Sequence, residues 1–318
     1  MRWTRKAKIQ KMCAAIPYGD HVYRQIQKRL GTLNPSPFNR LPHSAGMLSR
    51  LRELPFDVDG SRCIEVGTGH LPIAPVALYL AGAREVVTVD LHRRIDVNLT
   101  VEMLRQLTAR RQEVVDLFAG IVSEDLVRER LSIISKGHDR FFDLFERIGI
   151  RYIAPGDARR IPEPDASFDL HFSFTCLEHI EPQDLAAILA EGRRLLQPLG
   201  VAAHLVDTSD HFAHQDETIN RINFLRFTES EWSRIGGNEF SYCNRLRAPQ
   251  LLAMFAKSGL QIVKADSTVD ERSLDELQRG FPVDSTFSRF SATDLAITTL
   301  DICALPDQAT QAGSAEAT

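Results

Sequence analysis

One local pattern limits more than any other how this chain can fold. Cys63-Ile64-Glu65-Val66 is a short apolar run ending in Gly67-Thr68-Gly69. An apolar, helix-like segment over 73–81 follows, closed by Gly82, and Val86-Val87-Thr88-Val89 then runs into Asp90. Strand, glycine turn, helix, strand is the order of a βαβ unit, whose strands lie parallel because the helix crosses back between them. A parallel pair buries both faces, so the rest of the chain must supply more strands and helices on each side.

The remaining pattern supplies them. Apolar runs at 151–154, 168–174, 201–206, 260–264 and 295–303 read as strands, and 183–196 and 248–258 as helices between them. The expectation is an α/β protein: a doubly wound, mostly parallel seven-stranded sheet. Residues 1–58 are helical segments punctuated by Pro17, Gly31, Pro35, Pro37 and Pro42, expected to form an N-terminal helical cap with Tyr18 and Tyr23 facing the pocket. The main domain spans 59–306. About sixty residues separate Asp90 from the third strand, far more than a crossover needs. Their helical periodicity (Val97, Val101, Leu104; Leu126, Leu131, Ile134; Phe141, Leu144, Phe145) predicts a helical insertion over 96–150 on the ligand side of the sheet. The stretch 307–318, rich in Ala, Gln, Ser and Thr, is expected to be disordered.

Charge narrows the partners. The net charge of −4 excludes a whole-molecule nucleic-acid footprint, although residues 1–58 hold eleven Lys/Arg against three Asp/Glu. A solvated basic face is the simplest account of that excess. Five scattered cysteines without a C-x-x-C pair read as free thiols in a reducing compartment. Residues 1–11 are basic, but 12–16 is too short an apolar run for a secretory leader. The expected setting is cytoplasmic, with a small-molecule partner, no nucleic acid and no membrane; a homodimer is left open.

Gly67 and Gly69 let backbone approach a ligand, and Asp90, at the end of the second strand, is placed to accept ribose hydroxyls. Any nucleotide-binding fold of this class could show that much. Three details separate the nucleotides. Pro72 stands where a dinucleotide fold prefers a third small residue. Glu65 would repel a pyrophosphate but suits an ammonium group. Gly156-Asp157-Ala158 follows the third strand, where an Asp can accept adenine amino hydrogens.

Together with Phe168-Asp169-Leu170 and Leu177-Glu178-His179, these pieces occur in the order of the class I S-adenosylmethionine-dependent methyltransferases, which the chain resembles over residues 60–206 and the final two strands. The resemblance implies S-adenosylmethionine as cofactor. It implies Glu65 at the methionine end, Gly67, Thr68 and Gly69 shaping the pocket, and Asp90 on the ribose with Leu91 beside it. Asp157 and the Ala158 N–H would read adenine, and Phe174 and Thr175 would flank the methionine part. Leu71, where the family often has a third glycine, and the long insertion are departures.

Methyl transfer from a sulfonium needs alignment above all, and a hydroxyl acceptor also needs a base. The most polar knot in the chain, residues 207–216 after the fifth strand, holds His211, His214, Asp207, Asp210 and Asp216. His211 or His214 is read as the base with Asp210 nearby. A divalent-ion site from Asp207, Asp210 and His211, or a plain solvated loop, are the competing readings, and no metal ligand is assigned. His179, Tyr242 and Arg245 are candidate acceptor contacts. The expected activity is methylation of a small hydroxylated molecule, a saccharide or natural-product intermediate, at oxygen. The alternatives are an NAD(P)-dependent oxidoreductase and a non-catalytic cofactor-binding scaffold.

Overall fold

The computed structural model describes residues 2–17, 19–29, 34–137, 141–238 and 240–307. Tyr18 and the tail 308–318 lie outside the described residues. Seven strands form one sheet: β1 (Arg62–Val66), β2 (Glu85–Val89), β3 (Ile150–Ile153), β4 (Phe168–Phe174), β5 (Leu196–Asp207), β6 (Leu260–Val269) and β7 (Ile297–Pro306), in the order β3-β2-β1-β4-β5-β7-β6. β1 to β5 pair in parallel, and β7 runs antiparallel to both β5 and β6. The order reverses between β1 and β4, and in such a sheet the ligand crevice opens there, beyond the carboxyl ends of the strands.

The Ile73–Leu80 helix shows why the sheet is so firmly covered. All eight of its residues are buried, so it is apolar around its whole circumference and packs on every side. Each Leu or Ile removed from water there contributes about 1.5–3 kcal/mol. It shares a core with Leu41, Met47, Leu48 and Leu51 of the Leu41–Leu51 helix, and with the inserted helices through Met103, Leu104, Val115, Leu131 and Leu144.

Two placements differ from expectation. The Glu124–Ser135 helix of the insertion does not lie over the ligand end. Its Arg130 donates to the carbonyls of Tyr79, Gly82 and Ala83, which cap the far end of the Ile73–Leu80 helix. Carbonyls at a helix end have lone pairs to spare beyond their backbone partners, and a guanidinium satisfies several at once. Nor do residues 1–58 form one cap. The Leu41–Leu51 helix joins the main core, whereas Trp3, at the start of the Trp3–Ala14 helix, packs among Phe212, Phe227 and Trp232 from the segment after β5. Trp3 N–H also donates to Asp216 Oδ2 (2.6 Å). Tyr23 stacks on Phe240 and accepts from Gln10 Nε2 (2.8 Å).

Candidate active site

At the glycine turn, both Gly67 (φ 83°) and Gly69 (φ 70°) occupy the left-handed region that disfavours any Cβ. Their surroundings differ. A Cβ on Gly67 would come within 2.2 Å of Cys176 Sγ, so the segment after β4 folds directly over this turn. A Cβ on Gly69 would meet nothing within 4 Å. Thr175, at φ 45°, starts that fold-over and is tied back by its N–H to the Leu205 carbonyl (2.7 Å). Phe174 packs edge-on against Phe172 beside it.

Asp90 closes the other wall. Its Oδ1 accepts from Gly69 N–H at 3.4 Å, and its Oδ2 accepts from the Tyr152 hydroxyl at 2.9 Å. Tyr152 in turn accepts from Arg94 N–H (2.9 Å), which fixes the direction of its proton toward the carboxylate. Burial raises the pKa of Asp90, and burial together with Asp90 raises that of Tyr152 to about 12. Leu91, next in the chain, is 65% exposed, an apolar side chain held outward beside the carboxylate. Sequence reasoning missed Tyr152. The only signal was its place one residue from the end of β3, in register with Thr88 on β2.

Glu65 is buried near the end of β1, two residues before Gly67. Its Oε2 accepts from Thr88 Oγ1 (2.6 Å), and Thr68 hydrogen-bonds to the same Thr88 hydroxyl. Burial, with only these hydroxyls to offset it and Asp90 nearby, pushes its pKa to about 8. The carboxyl expected to receive an ammonium group is here bonded to Thr88 of β2 and pairs with no cation among the described residues. Asp157 also departs from expectation. Both of its oxygens are taken by Arg159, which bridges to Asp184 on the exposed surface. Those bonds from Arg159 hold its carboxyl below the usual range. Ala158 packs against the small apolar cluster of Val89, Ile153 and Ile161.

The second half of the site lies beyond the ends of β4 and β5. Asp207 Oδ2 stands 3.5 Å from His211 Nε2 and 3.4 Å from His214 Nε2. Ser209 Oγ donates to Asp207 Oδ1 (2.6 Å) and lies 2.9 Å from His214 Nε2. Burial works against the Asp207 charge, but the bonds from His211 and Ser209 outweigh it and hold this carboxyl well below its ordinary range. The three imidazoles form a row, His179 to His211 at 4.9 Å and His211 to His214 at 5.1 Å between ring centres. His179 Nδ1 lies 2.7 Å from the Tyr242 carbonyl, which can only accept, so Nδ1 carries the proton and Nε2 is left bare. Close packing around its ring, and then the neighbouring His211, lower its pKa to about 4 although an edge of the residue is exposed. Cys243 Sγ sits 3.6 Å from His211 Nδ1.

Three expected partners are placed elsewhere. Asp210 is fully buried and its carboxylate bonds to other groups; it accepts from Phe212 N–H (2.9 Å) and Asn223 Nδ2 (3.2 Å), and burial raises its pKa to about 6. Asp207, not Asp210, is the carboxylate of the histidine row. Arg245, itself buried, donates to the carbonyls of Phe224 and Phe227 and pairs with Glu229 (2.5 Å), so it holds the loop together and presents nothing to an acceptor. The Tyr242 hydroxyl donates to Glu181 Oε2 (2.7 Å), leaving its backbone carbonyl as the atom that matters to His179.

A family model described as a methyltransferase domain matches residues 133–204, from the end of the insertion through β3 and β4 into β5. The chain carries a methyltransferase domain. Residues 133–204 thus belong to a methyltransferase domain on a Rossmann-like strand order, and S-adenosylmethionine is the cofactor such a domain takes. No curated protein matches the chain. Among solved structures it is similar to a 1,6-didemethyltoxoflavin-N1-methyltransferase from Burkholderia thailandensis with bound 1,6-didemethyltoxoflavin and S-adenosylhomocysteine (14% identity, 94% of this chain and 91% of that one, TM-score 0.47). It is also similar to the YcgJ protein of Bacillus subtilis (17%, 83% and 95%, TM-score 0.39). A third likeness is to the PH0226 protein of Pyrococcus horikoshii (15%, 81% and 90%, TM-score 0.43). No helix among the described residues is long and apolar enough to cross a membrane.

The glycine turn of the methyltransferase domain fits the cofactor. Open space beside Gly69, the Asp90 carboxylate and the outward Leu91 offer a close backbone approach, a diol acceptor and an apolar face.

Proposed function

We propose that the enzyme moves the methyl group of S-adenosylmethionine to an oxygen of a small hydroxylated molecule, a saccharide or a natural-product intermediate. The observation that carries this reading is the Asp207-bracketed histidine row at the ends of β4 and β5, beside the turn that takes the cofactor. Bound there, the cofactor supplies an activated methyl group on a sulfonium with a neutral leaving thioether. The protein's tasks are to align the acceptor oxygen behind that methyl and to take its proton.

Asp90 and the glycine turn hold the nucleoside end, and Thr175 and Phe174 border the methionine end. Across from them, Asp207 fixes the rings of His211 and His214 and stabilises the positive charge that forms when either is protonated. With donor and acceptor bound, a histidine of this row would take the hydroxyl proton as the methyl passes from sulfur to oxygen, which would leave the methyl ether, the thioether and an imidazolium that returns its proton to water.

Calorimetric titration with S-adenosylhomocysteine, beside NAD and NADP, tests the cofactor half. Micromolar binding of S-adenosylhomocysteine alone, about −8 kcal/mol, is expected; binding of NAD alone would make the protein an oxidoreductase. His211→Ala should keep that affinity and lower turnover on hydroxylated acceptors about 10²- to 10⁴-fold. Full turnover in the variant would remove His211 from the mechanism, and methylation confined to amine acceptors would overturn the oxygen assignment.

A further inference from the structure

His179, His211 and Cys243 come from three separate stretches of chain, yet one ligand atom of each falls within 4.8 Å of the others. We propose that these three side chains bind one zinc-type divalent ion through His179 Nε2, His211 Nδ1 and Cys243 Sγ, leaving a fourth position open to the acceptor.

The geometry supports the ion in several independent ways. Around a tetrahedral zinc, with Zn–S near 2.3 Å and Zn–N near 2.05 Å, sulfur and nitrogen stand roughly 3.6 Å apart. Cys243 Sγ and His211 Nδ1 stand 3.6 Å apart with no metal between them. A ligating histidine nearly always directs its other ring nitrogen to a carboxylate or a backbone carbonyl. The Tyr242 carbonyl lies 2.7 Å from His179 Nδ1, and Asp207 Oδ2 lies 3.5 Å from a His211 Nε2 that has no hydrogen-bond partner among the described residues, so a small ring shift completes the second pair. That leaves His179 Nε2 and His211 Nδ1 for the ion, the latter already 3.6 Å from Cys243 Sγ.

Charge points the same way. Cys243, Asp207 and Glu178 line one small cavity. Glu178 is 3% exposed, and neither of its oxygens has a hydrogen-bond partner among the described residues. A buried, unpartnered carboxyl beside a buried thiol and a carboxylate is costly unless a cation offsets it. A soft thiolate with two imidazoles selects zinc and its neighbours over calcium or magnesium. Three protein ligands with one open position is the arrangement of a reactive rather than a structural zinc site. Asp210 takes no part, being fully engaged by Phe212 and Asn223.

The role of that open position rests on the function proposed above, and deepens it: an acceptor hydroxyl or thiol bound there would ionise far more readily than in water. His211 then acts as a ligand, and His214, also against Asp207, is the ring left to take the proton.

Cobalt(II) is the probe, titrated into untagged full-length protein after dialysis against metal-free buffer. One equivalent should bind and give the thiolate-to-cobalt charge-transfer band of a tetrahedral site. Cys243→Ser should lose that band while Cys176→Ser keeps it. His179→Ala changes a partly exposed ring, so the fold should survive, and it should weaken binding by at least about tenfold; Asp207→Asn should cost about 10- to 100-fold. Binding without the band, or equal affinity in Cys243→Ser and His179→Ala, would overturn the site. Zinc content of protein purified without added metal gives a second reading. Titration of the same preparations with S-adenosylhomocysteine separates the two proposals, since a lost cobalt site with intact cofactor binding sinks only the metal.

Discussion

Glu65→Gln should stabilise this protein, and by an amount that grows with pH. Glu65 is 3% exposed, faces hydroxyls of Thr88 and its network rather than a cation, and has a folded-state pKa of about 8 against 4.5 for the free side chain. Between those values the unfolded chain gives up the proton while the native state keeps it. The native state therefore binds more protons, and stability falls as pH rises from about 4.5 to about 8. The full shift of about 3.5 units, at 1.36 kcal/mol each, corresponds to an order-of-magnitude loss of about 5 kcal/mol. Glutamine keeps the shape and accepts from Thr88, but it cannot ionise. Urea unfolding of both proteins from pH 5 to pH 9, with m-values checked for equality, isolates the effect because every other titrating group is shared. The gap between the curves should widen from under about 1 kcal/mol at pH 5 to several kcal/mol at pH 9. Parallel curves would mean that Glu65 is ionised in the native protein, and the burial argument would fail.

Gly67→Ala should cost at least about 2 kcal/mol, from left-handed strain and contact with Cys176, and Cys176→Gly should recover part of it; strict additivity in the double-mutant cycle would show that the two residues do not meet. Asp90→Asn should weaken S-adenosylhomocysteine binding by tenfold or more in calorimetry, and unchanged affinity would remove the ribose assignment. His171 is fully buried beside His204 (3.2 Å), with its pKa lowered by burial to about 4. Here the unfolded chain takes up the proton first, so stability should drop by up to about 3 kcal/mol as pH falls from 6.5 to 4. His171→Asn should flatten that part of the denaturation profile.

The local half of this structure was legible in the sequence, because it is written in consecutive residues. The β1 run, the two glycines and the β2 run ending in Asp90 specify a parallel pair and its turn without reference to anything distant. The seven-stranded, mostly parallel sheet followed from the same alternation further along. What was not legible depends on where chains meet. Asp210 adjoins His211 in sequence, yet Asp207, four residues back, is the one whose oxygen reaches the ring. The Asp157–Arg159 pairing and the Tyr152–Asp90 bond depend on side-chain directions that composition does not encode. The inserted helices showed their apolar faces at Leu104, Leu131 and Leu144, but nothing local said that those faces would join the Ile73–Leu80 core instead of roofing the ligand.

The docking of Trp3 against Phe212, Phe227 and Trp232 has a consequence for how this enzyme could diversify. The turn expected to take the donor is assembled within the sheet, where Gly67 is hemmed by Cys176 and Asp90 is shared with Tyr152, so exchanges at those two positions disturb a neighbour. The acceptor end is flanked by segments that hang from the sheet and lean on one another through aromatic rings. Changes among those rings leave the Gly67–Cys176 and Asp90–Tyr152 contacts untouched. Selection can therefore retune what is methylated while the machinery that supplies the methyl group stays fixed, with the first helix travelling as part of the adjustable portion.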